Sequence, residues 1–171
     1  MKKLSIVLVL TLAVSALVGC SPNVPFDKLV KAINDQVIAD LKATGNFDDD
    51  AFADGAIPGY LQLDLMQDEN TEYVIDIDKS LLAEGYALAA MFNINADQII
   101  VLKAKDKASA KGVQAALEAT LEAQEQVWSQ YLPNQYEKVK NNIIEQKGLY
   151  FLYVTYGAPE NIVTAFNNAF K

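Results

Sequence analysis

Apolar residues recur at helical spacing from Phe26 to Leu41, where Phe26, Leu29, Val30, Ile33, Val37 and Leu41 share one face. Asp27 is placed to cap this helix and Gly45 to stop it. Lys28 and Lys31 lie on one side of it, where a solvated face is the ordinary reading and contact with lipid headgroups the sharper one. Residues 46–80 leave two readings open. Leu61, Leu63 and Leu65 alternate with Gln62 and Asp64, and, beyond a polar QDENTE stretch, Tyr73, Ile75 and Ile77 alternate with Val74 and Asp76, so two edge-like strands or a series of isolated turns fit equally.

The pattern sharpens from Gly85. GYALAAMF (85–92) and QIIVLKA (98–104) read as strands, joined through Asn93–Asp97, whose asparagines and aspartate suit a turn in an antiparallel hairpin. Lys107 to Tyr131 lacks proline and sets Val113, Leu117, Leu121, Gln124, Trp128 and Tyr131 along one stripe, which predicts the longest helix. Pro133 ends or bends it. Tyr136, Val139, Ile143 and Ile144 then suggest a shorter helix before Gly148. LYFLYVTY (149–156) is apolar or aromatic almost throughout, as a strand covered on both faces and central in its sheet must be. Pro159 opens a last amphipathic helix through Ile162, Val163, Phe166 and Phe170. This order predicts a single α+β domain over residues 26–171, a mainly antiparallel sheet packed against helices.

The chain ahead of that domain has a different character. Met1-Lys2-Lys3 is cationic, and Leu4 to Val18 is an unbroken run of apolar and small residues, the shape of an export signal. The run is shorter than the roughly 20 residues a membrane-spanning helix needs, so cleavage is expected. Leu17-Val18-Gly19-Cys20 resembles the bacterial lipobox. That resemblance implies a signal peptide over residues 1–19, diacylglycerol on Cys20 as the new first residue, and a tether over residues 20–25. Two acyl chains make a durable anchor where one is marginal. The expected address is the extracytoplasmic face of the cell membrane.

Composition then removes whole classes of chemistry. Every basic residue is lysine, and no arginine or histidine occurs. Bidentate guanidinium clamps, imidazole metal sites and histidine general bases are therefore unavailable. Cys20 is the only cysteine, so with its thiol on lipid nothing remains for disulfides, thiolate catalysis or zinc. Loss of Lys2 and Lys3 takes the lysines from 14 to 12 against 22 acidic residues, and the formal charge from −8 to −10. Such a surface repels nucleic acid and anionic lipid.

Four stretches carry a further resemblance: FNINADQII (92–100), KAKD (103–106), YLPNQY (131–136) and GLYF (148–151). In this order, from about Gly85 onward, the chain resembles an uncharacterised family of Gram-positive lipoproteins built on domain of unknown function 4358. It departs from that family at Gln98, where glutamate is usual, and in lacking arginine in the long helix; residues 46–80 match poorly. The resemblance implies a membrane-anchored extracytoplasmic domain and brings no catalytic residue.

Three clusters invite chemistry. Asp48, Asp49, Asp50 and Asp54 before Gly55 suggest calcium, yet an EF-hand register from Asp50 puts Phe52 and Leu61 at ligand positions, so a solvated acidic loop is the simpler reading. Asp76 and Asp78 would share a strand face and could act as an acid–base pair on glycosides; two aspartates on a wet face are far commoner. Trp128, Tyr131, Tyr136, Tyr150, Tyr153 and Tyr156 suit a sugar or peptide groove, or the core and its edge. No phosphate loop, S-x-x-K run or nucleophile elbow is present. The expectation is a non-enzymatic binding or adaptor module of the cell envelope, without cofactor or metal, whose partner is an envelope protein, glycan or solute. A carboxylate-dependent hydrolase of wall polymer and a cation-binding surface protein are the alternatives.

Overall fold

The computed structural model describes residues 23–171. Cys20 and the leader lie outside the described residues. Helix α1 (Phe26–Ala43) is followed by a 3-10 helix (Asp49–Gly55), strand β1 (Tyr60–Asp64), a short 3-10 turn (Lys79–Leu81), and the strands β2 (Leu82–Ala90) and β3 (Gln98–Ala104). Helices α2 (Ala110–Trp128) and α3 (Pro133–Lys140) lead into the hairpin β4 (Ile143–Lys147) and β5 (Tyr150–Thr155), and α4 (Pro159–Asn168) closes the chain. The expected α+β class is the observed one, and no described helix is long and apolar enough to cross a membrane.

All five strands form one antiparallel sheet in the order β1-β2-β3-β5-β4. Side chains alternate across it with period two, and both faces are covered. Leu88, Ile99, Val101, Tyr150, Leu152 and Val154 pack against Leu29, Ile33 and Val37 of α1 and Ile162 and Phe166 of α4. Ala87, Ile100, Leu102, Phe151 and Tyr153 pack on the other side against Val113 and Leu117 of α2. Doubly covered strands are apolar at every position, which explains the runs in β3 and β5. β5 lies between β3 and β4, inside the sheet, while β3 takes the middle.

Five details differ from the pattern. Pro25, not Asp27, stands at the N-cap of α1; Asp27 sits in the first turn, where its charge still suits the helix dipole. Residues 60–64 form the edge strand β1, but Tyr73–Ile77 is no strand. The N–H groups of Val74 and Ile75 both donate to the Thr71 carbonyl, which makes a turn, and both side chains are buried over the α2 face. Ile143 and Ile144 leave the helix for β4, pairing with Val154 and Tyr153, because α3 stops at Lys140 and an Asn141-Asn142 turn redirects the chain. The long helix is shorter at both ends than the expected 107–131, and β2 starts three residues and ends two residues earlier than its pattern.

The start of the described chain is docked. The Tyr150 hydroxyl donates to the Val24 carbonyl at 2.6 Å and lies 3.0 Å from Asn23 Oδ1, and Val24 is buried.

Candidate functional site

At the end of the sheet where β2 stops and β3 begins, the small side chains of Ala89 and Ala90 leave space that the neighbouring elements border but do not fill. The result is a groove of about 530 Å³. One wall is the loop Met91–Asn95, a second is the C-terminal end of α2 with Gln124, Val127 and Trp128, and Tyr73, Leu61 and Tyr131 complete the rim. Large apolar side chains stand open to solvent here: Phe92 is 65% exposed, Tyr73 62%, Val127 58% and Met91 54%. Most of the exposed large hydrophobics of the described chain border this one groove, so they form a patch and are not the scattered singles of an ordinary surface.

The loop that carries Met91 and Phe92 is held from below. Asp97, 7% exposed, accepts from the Tyr60 hydroxyl at 2.6 Å, from Asn95 Nδ2 at 3.1 Å and from Lys138 Nζ at 2.6 Å. Its own N–H donates to Asn95 Oδ1, which also accepts from Lys138. The Ala96 N–H donates to the buried side chain of Gln135. Strand β1 and helix α3 thus fix one turn. Burial first, and then the Asp97 charge, push the Tyr60 phenol well above its ordinary range, so it stays a proton donor. On the floor, Gln98 Nε2 donates to the Val74 carbonyl at 2.6 Å, tying the 71–77 segment to β3. Trp128 Nε1 donates to Gln124 Oε1, which fixes the indole against the rim.

The sequence candidates scatter around this site. Trp128 and Tyr131 are in it, 5.7 Å apart ring to ring. Tyr136 packs beside Trp128 and Val139, whereas Tyr150, Tyr153 and Tyr156 are buried in the core. Tyr73, Phe92 and Met91 went unnoticed as site residues; the signal was an apolar pair, followed by Ile94, inside an asparagine-rich turn. In the acidic stretch, Asp49 pairs with Lys42 at 2.6 Å and Asp48, Asp50 and Asp54 face solvent. No group of three or more acidic, histidine or cysteine side chains converges on a metal-sized site among the described residues. The Ser80 hydroxyl, and then the Ser80 N–H that donates to Asp78, hold the Asp78 carboxyl below the usual range, and Asp76 is exposed outside any strand, so the two share no strand face.

No curated protein and no solved structure matches this chain. A family model does: that of domain of unknown function 4358 aligns with residues 60–156, from the first residue of β1 to just past β5. The match takes in the whole sheet and every rim residue of the groove, and it extends over residues 60–80, where the sequence motifs resemble the family poorly. The chain therefore belongs to the DUF4358 family.

Proposed function

We propose that this protein is a non-enzymatic binding module held by a lipidated Cys20 on the extracytoplasmic face of a Gram-positive cell membrane, and that its groove takes an apolar segment of an envelope protein. The observation that carries the binding reading is the concentration of exposed aromatic and aliphatic side chains on a groove whose loop is fixed by a buried polar network. A pre-ordered apolar surface binds with little ordering cost. The lining includes one carboxylate, Asp97, and its oxygens are already engaged. Apolar, aromatic and amide groups recognise; they do not supply the two separate carboxylates a glycosidase uses. The anchor reading is supported by the ordered succession of cationic start, apolar run and Leu17-Val18-Gly19-Cys20.

A photo-cross-linking residue placed at Phe92, in cells, tests the groove, with the same residue at exposed Met66 as control. The expected result is a discrete protein adduct from position 92 that is absent from position 66 and lost when Tyr131→Asp is added. Identical adducts from both positions, or adducts indifferent to Tyr131→Asp, overturn the groove; adducts to glycan alone move the reading to a carbohydrate ligand. Intact mass of the purified protein tests the anchor. An unmodified thiol with the leader still attached removes it.

A further inference from the structure

We infer that the end of the domain opposite the groove docks on anionic lipid headgroups and so turns the groove outward from the membrane; this rests on the anchor proposed above. Asn23 and Val24 are held by Tyr150, at the start of β5, which pairs with Lys103 near the end of β3. The groove lies at the other end of the same strands, beside Gln98. The seven residues of β3 separate the two ends by about 20 Å. Cys20 is three residue steps from Asn23, through Ser21 and Pro22, a reach of at most about 11 Å. An anchor at Cys20 therefore holds the Tyr150 end against the bilayer.

The domain as a whole, with 22 acidic residues, is repelled by anionic lipid, but the end nearest Cys20 gathers cations that act locally. Lys103 Nζ sits 5.4 Å from the Tyr150 ring, Tyr150 stacks edge-on with Phe170 at 5.2 Å, and Lys147 Nζ sits 5.1 Å from the Phe170 ring. Two cations thus flank two aromatic rings beside the point where the chain heads toward Cys20. Lys103 is neutralised by Glu84 at 2.7 Å, so Lys147, with exposed Lys28 and the neighbouring Lys171, carries the patch; Asp27 is exposed beside it, and Asp106, just past β3 at the same end, is exposed between Lys105 and Lys107. The acidic stretch Asp48–Asp50 follows the far end of α1, whose Asp40 is bonded to Asn161 at the start of α4, on the groove side of the molecule. A bilayer carrying negative charge attracts the first set and repels the second. Orientation follows from the two together.

The acylated protein, verified by mass, is reconstituted in vesicles of phosphatidylcholine with or without phosphatidylglycerol. Because the native thiol carries lipid, a cysteine introduced at Asn168 or at Asn93 takes a single fluorophore, and energy transfer to a headgroup-labelled acceptor reports its height. The expected result in phosphatidylglycerol vesicles is several-fold stronger transfer from position 168 than from position 93. The difference should shrink in K28Q/K147Q/K171Q, in pure phosphatidylcholine, and in about 1 M salt, where the screening length is about 3 Å. Equal transfer from both positions on acylated protein overturns the orientation alone. An unequal transfer indifferent to lipid charge, salt and the triple variant shows that the short tether orients the domain and overturns headgroup docking. Absence of acyl mass removes the anchor, and this inference with it.

Discussion

Lys138 Nζ and Asp97 Oδ1 lie 2.6 Å apart, joining helix α3 to the turn that ends the groove loop. Their exposures differ: Asp97 has 7% of its side chain open and Lys138 27%, so the lysine retains water that the aspartate lacks. The two halves of the pair are therefore unequal.

Removing the lysine should cost more than removing the acid. Lys138→Met strands a buried carboxylate with only Tyr60 and Asn95 to stabilise it, an expected loss of about 3 kcal/mol, whereas Asp97→Asn leaves a cation that can turn to solvent and should cost about 1–2 kcal/mol. Urea unfolding of both variants checks the order. Losses below about 0.5 kcal/mol in both would place this bridge among ordinary surface pairs.

The Gln98 amide donates to the Val74 carbonyl while 6% exposed. In Gln98→Glu an ionised carboxylate would face that carbonyl, so the variant should be about 1–3 kcal/mol less stable than the wild type at pH 7. Burial beside an acceptor raises the folded pKa of the new carboxyl above its unfolded value. The deficit is therefore absent below the unfolded pKa of about 4.3 and grows as pH rises through the folded one. Paired denaturation curves from pH 4 to pH 7 would show the gap opening, and a constant gap would contradict it.

Two glycines should respond differently to alanine. A Cβ on Gly85 would meet Leu65 Cβ at 3.1 Å, with Leu102 and Leu82 close behind, in a strand covered on that face, so Gly85→Ala should cost about 1–3 kcal/mol. At Gly112, inside α2, the obstacle is the terminal methyl of Leu81 at 2.8 Å, which can rotate away, and alanine improves the helix by about 1 kcal/mol. Gly112→Ala should come out near neutral in the same melts.

Alkali should unfold the domain through its tyrosines. Burial pushes the Tyr153 phenol up to about 12 and Tyr86 likewise to about 12, with Tyr60 and Tyr156 raised as well. The folded state thus holds protons that the unfolded chain releases near pH 10. Stability from this source is complete below pH 10 and falls as pH climbs toward 12. Each such tyrosine contributes a slope of up to about 1.4 kcal/mol per pH unit. Tyr153→Phe should flatten the decline by up to one such slope, measurable by urea midpoints between pH 9 and pH 11.5.

Local pattern made several elements legible. Phe151, Leu152, Tyr153 and Val154 are buried on alternating faces, and no arrangement other than a strand between two covered faces uses so apolar a run. Pro159 fixed the start of α4, since its missing N–H is harmless only in a first helical turn. Ile143 and Ile144 were not legible, because they continue the spacing of Tyr136 and Val139 as well as they open a strand. Only the neighbouring β5 decides between the two. Tyr73–Ile77 alternates like a strand but its backbone folds onto Thr71, a choice made by burying adjacent Val74 and Ile75 over the sheet.

The chain by itself determined the fold class, the lack of imidazole and guanidinium groups, and the sites of its main helices, because periodicity and residue type are properties of short windows. The groove was decided only by the tertiary structure. Its walls come from Leu61, Tyr73, Phe92 and Val127, residues far apart in sequence whose meeting depends on strand order and on the depth at which α2 ends. Exposure is a relation between elements, and no local pattern distinguishes an apolar side chain that finds a neighbour from one left facing water.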